Sequence, residues 1–201
     1  MKNISKILLL VCSTNLLLYS CISNNQSGYE VTLSDSDLKY VPTTSNHLDD
    51  KTYINEIDIL LTSTATSIDN EQNFIDIIKA IAWTETKWEH YFKRDNKYYV
   101  LLGDDGHSFG IMQIDEVYHG VHAALQDNVE YGITFAFEKY QAAVSTNCPS
   151  GTNSGTSITA IARRTYAQYN GGDDAMCRDN NARDNNLEDA LNSLPWNSYL
   201  L

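Results

Sequence analysis

The segment from Asn70 to Tyr91 constrains the fold most, because its apolar residues recur at a helical period and one carboxylate falls among them. At about 100° per residue, Phe74, Ile78, Ile81, Glu85 and Trp88 share a single narrow stripe. Asp69 or Asn70 is positioned to cap this helix, which is expected to run to about Tyr91. Glu85 sits in the middle of the stripe, flanked by Trp83 and Trp88. A carboxylate placed there loses hydration, which disfavours its charged form and raises its pKa. A glutamate still protonated near neutral pH is what a general acid requires. The alternative is a helix-end glutamate that reaches solvent or pairs with Lys87 or Arg94.

The rest of the chain from residue 51 is mostly helical in its spacing. Ile54, Ile57, Leu60 and Leu61 mark a first helix, and Ile133, Phe137, Tyr140 and Val144 mark one face of a third. Ser157 is a good cap for Ile158–Gln168, which Gly171-Gly172 then terminates. Leu187, Leu191 and Leu194 indicate a short last helix before Pro195. Between the second and third helices lies a loop-rich stretch, Lys93–Val121, in which Tyr98–Leu102 has the composition of a strand. The expected fold is mainly α, with a small β or irregular insertion.

The 201 residues suit one domain, and 42% apolar content is enough to fill a core. A formal charge of −12 makes the chain a poor binder of nucleic acid or anionic lipid surface. No segment approaches the about 20 uninterrupted apolar residues of a membrane span.

Residues 1–20 have the layout of a signal peptide: Lys2 and Lys6 precede an apolar stretch, Ile7–Tyr19, interrupted by Ser13, Thr14 and Asn15. Leu18-Tyr19-Ser20-Cys21 resembles a bacterial lipobox, with Tyr19 departing from the small or β-branched residue usual there. The resemblance implies lipidation of Cys21 and anchoring to a membrane. Because Ile22-Ser23 lacks an aspartate, it also implies an exported, periplasmic lipoprotein of the outer membrane of a Gram-negative bacterium. An ordinary cleaved signal with an incidental cysteine is the alternative. Residues 21–50 are rich in Ser, Asn, Asp and Thr without an apolar period and read as a flexible tether, leaving residues 51–201 as the domain. Cys148 and Cys177 would meet an oxidising compartment after export, where a disulfide between them is expected and free thiols are the alternative.

Two further segments carry polar groups suited to a ligand. Gly103–Asp115 reads GDDGHSFGIMQID, where glycines allow close backbone approach and Gln113 offers donors and an acceptor. Ala167–Gly172 reads AQYNGG at a helix end, and Tyr169 shares a stripe with Ile158, Ile161 and Thr165, so its ring should face inward. Each is weak alone. Together with Glu85-Thr86, the order Gly110-Ile111-Met112-Gln113 and then Gln168-Tyr169-Asn170 resembles the lysozyme-like superfamily of lytic transglycosylases and goose-type lysozymes. Their pattern is Glu-Ser, Gly-Leu-Met-Gln and Ala-Tyr-Asn, so each motif departs by one tolerable change. The resemblance spans roughly residues 70–175. The goose-type branch is also similar in Gly103-Asp104-Asp105-Gly106, Phe109–Asp115 and His119, although the spacer after Glu85 is longer here.

The resemblance implies cleavage of the β-1,4 bond between N-acetylmuramic acid and N-acetylglucosamine in peptidoglycan glycan strands. Glu85 would protonate the glycosidic oxygen. If water attacks, a second carboxylate about 6.5–9.5 Å away should activate it, and Asp104 and Asp115 are the candidates. If the muramoyl 6-hydroxyl attacks, Glu85 alone serves as acid and then base, and a 1,6-anhydromuramoyl end results. Both aspartates have a structural alternative, Asp115 as a helix cap and Asp104 as a turn residue. Ser108, Phe109, Gly110, Gln113, Tyr169 and Asn170 are carried over as residues that bind substrate or position the acid. No cofactor and no metal is implied, since His119 and His122 lack a convincing third ligand. The leading expectation is a lytic transglycosylase. A goose-type muramidase and a non-catalytic wall-binding lipoprotein are the alternatives.

Overall fold

A computed structural model describes residues 26–179 and 181–201. The signal peptide and Cys21 lie outside the described residues. The fold is mainly helical with a small antiparallel sheet, as the apolar spacing indicates. Helix α1 spans Lys51–Ile68 and α2 spans Gln72–Thr86, and a β-rich segment follows. Strands β2 (Tyr91–Arg94) and β3 (Lys97–Gly103) form a hairpin whose turn residues Asp95 and Asn96 both have positive φ, the geometry that matches strand twist. Short strands β4 (Ser108–Phe109) and β5 (Ile114–Asp115) extend the sheet and lead into a one-turn helix α3 (Glu116–His119). Helices α4 (Leu125–Ser145), α5 (Ile158–Gly171) and α6 (Ala182–Ser193) complete the fold.

The folded part begins earlier than residue 51. Strand β1 (Gly28–Val31) pairs antiparallel with β3, Gly28 opposite Leu101 and Val31 opposite Tyr98. Val41 joins the core, and the buried Asp50 caps α1 through Tyr53 N–H while accepting from Thr43 N–H and Oγ1. Residues 26–50 are therefore no tether. They escape a periodicity reading because β1 is only four residues long, none of them fully buried, and is attached in large part through backbone hydrogen bonds to β3.

The boundaries of α2 also differ from expectation. Its N-cap is Glu71, while Asp69 ends α1 and accepts from the Glu71 N–H. At the far end Lys87 and Trp88 both adopt positive φ, so the helix stops at Thr86 rather than near Tyr91. Trp88 still reaches the core, because the reversal folds its indole back to donate to the Lys79 carbonyl at 3.0 Å. There it meets Trp83 edge-on at 5.7 Å and stacks on Trp196 at 5.4 Å, which fastens the C-terminal turn Pro195–Ser198 beneath the end of α2. In α4 the expected face ends at Tyr140. Ala143 is buried and Val144 is 53% exposed, so the last turn presents a neighbouring column.

Ser157 caps α5 by accepting from Ala160 N–H, and Gly172 at φ 77° ends it. The helix continues through Gly171, three residues beyond the expected Gln168, which places Tyr169 and Asn170 in its last turn. The Cys148–Cys177 disulfide is formed and closes the long α4–α5 connection onto the segment before α6. Among the described residues no helix is long and apolar enough to cross a membrane. Replacing both cysteines by serine is expected to cost about 3–4 kcal/mol, the loop-closure contribution of a ring of this size, measured by urea unfolding of oxidised wild type and variant.

Candidate active site

The centre of the site is the loop from Gly110 to Gln113, whose backbone is tied to every element around it. Gly110 N–H donates to Leu101 of β3, Ile111 N–H to His90 Nδ1 and Met112 N–H to Asn128 Oδ1 of α4. The carbonyls are held as well: Thr86 Oγ1 of α2 donates to Ile111 at 3.3 Å, and Tyr169 Oη of α5 donates to Met112 at 2.6 Å. Ile111 and Met112 are fully buried, so the loop is anchored by its apolar side chains and oriented by its polar backbone. His90 serves only as a neutral ring. Its Nε2 faces the Ala123 carbonyl while Nδ1 accepts, and burial pushes its pKa down to about 4.

Glycines mark the places of closest approach. Gly110 has φ +65°, and a Cβ there would lie 2.2 Å from the His90 ring. A Cβ on Gly103 would lie 1.8 Å from Gln113 Oε1, so this glycine makes room for the Gln113 carboxamide. Gln113 itself holds a positive φ of 47° and donates through Nε2 to the Gly110 carbonyl at 2.7 Å. Asp104 and Asp105 also have positive φ. Left-handed backbone at three non-glycine residues of one wall is conformational strain held in place by the surrounding hydrogen bonds.

This loop, the end of α2 and the end of α5 enclose a cleft of about 530 Å³. Glu85, Asp104, Ser108 and Gln113 line it, as do Asp115, Tyr169 and Asn170. Phe109 and Gly110 do not. Phe109 is a core residue, 3% exposed and edge-on to Tyr29 at 5.7 Å, and Gly110 is buried against His90. Both support the cleft wall from behind, because β4 alternates its side chains and only Ser108 faces the opening. Asp115 caps α3 by accepting from Val117 N–H and also borders the cleft. Asp104 accepts from the buried Ser108 hydroxyl at 3.0 Å.

Burial of Glu85 at the cleft floor raises its pKa from 4.5 to about 7. The Tyr166 hydroxyl and the Arg183 guanidinium work against that rise, while the negative charge of Asp104 adds to it. Tyr166 is held far above its ordinary pKa, first by its own burial and then by the charge of Glu85, so it remains a protonated neighbour. Tyr169 is raised for the same reasons. A carboxyl group half-protonated near neutrality and lining a cleft can deliver a proton to a bound oxygen and take one back.

Sequence reasoning missed two residues here. Tyr166 stands four residues before Asn170 on α5, a same-face spacing that becomes visible only when the helix is known to run through Gly171. Arg183 comes from α6, remote from every motif, and reaches the cleft by tertiary packing alone. Among the described residues no group of three potential metal ligands gathers. His122 is engaged by Asp127 and the His119 carbonyl, and His119 by the Tyr131 hydroxyl. Compared with known proteins, the chain matches no family model, no curated protein and no solved structure.

Two outcomes test this geometry. Gly103→Ala leaves the extended backbone unstrained but displaces Gln113, so stability should change by less than about 1 kcal/mol while ligand binding in the cleft falls. Glu85→Gln should change the pH dependence of stability. The wild-type carboxyl ionises near 4.5 unfolded and near 7 folded, so its stabilising share is complete below about pH 4.5 and lost as the pH rises through 7. Thermal melts should find the variant about 1–3 kcal/mol more stable than wild type at pH 8 and nearly equal to it at pH 4.

Proposed function

We propose that the chain is a peptidoglycan lytic transglycosylase, cutting the β-1,4 bond between N-acetylmuramic acid and N-acetylglucosamine. The observation that carries this reading is Glu85 held near half-protonation on the floor of a cleft walled by the Gly110–Gln113 loop and the Tyr169-Asn170 turn. These are the segments whose order resembles the lysozyme-like superfamily.

In the proposed reaction Glu85 gives its proton to the glycosidic oxygen, and the bond from that oxygen to muramic acid C1 breaks with its electron pair leaving on the N-acetylglucosamine O4. Positive charge develops at C1, and the muramoyl O6 attacks it. The O6 proton passes to Glu85, which regains its starting state, and the product carries a 1,6-anhydro ring. One carboxyl group therefore serves as acid and then as base, and a pKa near 7 suits both steps. Gln113 and Asn170 line the space a polar sugar would occupy, Gln113 held by the Gly110 carbonyl and Asn170 by Arg183, and Tyr169 fixes the loop that carries Gln113.

A second reading, hydrolysis by a goose-type muramidase mechanism, draws on Asp104. This carboxylate lines the same cleft and lies near enough to raise the proton affinity of Glu85, so it is the candidate to activate a water. Asp115 is the weaker candidate because one of its oxygens caps α3. The disulfide supports the accompanying proposal of export to an oxidising compartment.

Mass spectrometry of sugar fragments released from purified peptidoglycan by the full-length chain tests the proposal. Fragments lighter by one water, absent with Glu85→Gln, are the expected result. Ordinary reducing ends that disappear in Asp104→Asn would establish the hydrolase instead. Unchanged glycan with wild type would leave only a binding role, which a scaffold with Glu85→Gln would retain.

A further inference from the structure

Arg183 stands in the cleft without belonging to any segment that carries the resemblance. It occupies the first turn of α6, where Asn181 accepts from its backbone N–H at 2.9 Å. The next residue, Asp184, is fully buried and pinned by Arg178 through two hydrogen bonds of 2.6 and 3.0 Å. Arg178 follows Cys177, whose disulfide secures this strand of chain to Cys148. The start of α6 is thus fastened at three points, and the Arg183 side chain extends from it into the cleft.

Its guanidinium has specific neighbours there. Nη1 donates to Asn170 Oδ1 at the end of α5, and Nη2 lies 3.9 Å from Asp104 Oδ1. Asn170 and Asp104 line the same cleft as Glu85, one from the end of α5 and the other from the turn after β3, where Asp104 also accepts from Ser108. We propose that Arg183 is a positioning residue of the cleft, joining Asn170 to Asp104 beside Glu85 and balancing the carboxylate that Glu85 becomes when it gives up its proton. The inference rests on the proposed function for its catalytic meaning and on geometry for the coupling itself.

The charged and titratable surroundings fix the direction of the effect. Tyr166 and Tyr169 face Glu85 from α5, Asp104 from the turn after β3, and Arg183 from α6. Farther along the cleft lie Asp115, His119 and Lys139, the last paired with Asp173 at 3.0 Å. Asp104 opposes ionisation of Glu85 and Arg183 favours it. Arg183 also shares its charge with Asp104, so removing it exposes Glu85 to the full repulsion of that neighbour.

The experiment follows the Glu85 carboxyl by carbon NMR in the full-length chain labelled at glutamate, with Glu85→Gln giving the assignment. Arg183→Gln should move the Glu85 titration midpoint upward by at least about 0.3 pH unit, and Arg183→Lys should return most of that shift. The alkaline limb of glycan cleavage should move in the same direction. Turnover should fall about threefold to tenfold with a smaller change in KM, because the lost interaction matters most when Glu85 is ionised. Arg183 is 57% exposed at its side chain, so melts should match wild type closely. An unmoved midpoint in Arg183→Gln overturns the inference whatever the activity. A shifted midpoint in a chain that cleaves no glycan supports the coupling and removes instead the transglycosylase reading.

Discussion

The arrangement depends on how the backbone of Ile111 and Met112 is satisfied. These residues are buried and irregular, so without partners their N–H and C=O groups would cost free energy comparable to lost hydrogen bonds. Each finds its partner on a different element: a histidine after α2, an asparagine of α4, a threonine closing α2 and a tyrosine ending α5. The same bonds that make the loop tolerable in the interior bring the ends of α2 and α5 together around it. Glu85 precedes Thr86 and Asn170 follows Tyr169, so the side chains that face the cleft are neighbours in sequence of the side chains that hold the loop. Packing supports this closeness, since a Cβ on Gly132 of α4 would lie 2.6 Å from Met112 Cβ.

Opposed electrostatic effects meet at Glu85. Burial and Asp104 hold the proton on, whereas Tyr166 and Arg183 draw it off. With burial alone the group would be a weak acid at neutral pH, and with the cation alone it would be an ordinary carboxylate with no proton to give. The intermediate value comes from different parts of the chain: burial where the last turn of α2 meets the cleft, repulsion from the turn after β3, and compensation from α5 and α6. In a chain of net charge −12 a single arginine in an acidic cleft has a local effect that overall composition conceals.

The apolar period established the helices because burying a face of α1, α2, α4 or α5 demands that spacing. It placed Glu85 among core residues, and it turned Tyr169 inward, where its hydroxyl found the Met112 carbonyl. Gln113 and Ser108 were legible as polar groups among glycines. The same period misjudged Val144 as a core residue, and the resemblance misplaced Phe109 and Gly110 in the cleft lining, since neither a local pattern nor a motif says which neighbours an alternating strand or the last turn of a helix will meet. It also passed over β1, a four-residue strand too short to show a period, whose backbone hydrogen bonds to β3 leave no mark on side-chain composition.

Sequence by itself determined the mainly helical class and the placing of Glu85 on an apolar stripe, because each is a consequence of residue type at short range, while the cysteine pairing and the grouping of the cleft segments were expectations that needed the folded chain to bring them together. Tertiary structure decided the rest. It made residues 26–50 part of the fold, limited α2 to Thr86, set Tyr166 beside Glu85 and brought Arg183 to Asn170 and Asp104. Those outcomes rest on contacts between residues far apart in the chain. The strength of a charge or a hydrogen bond depends on that distance and on the water excluded around it, neither of which the order of residues records.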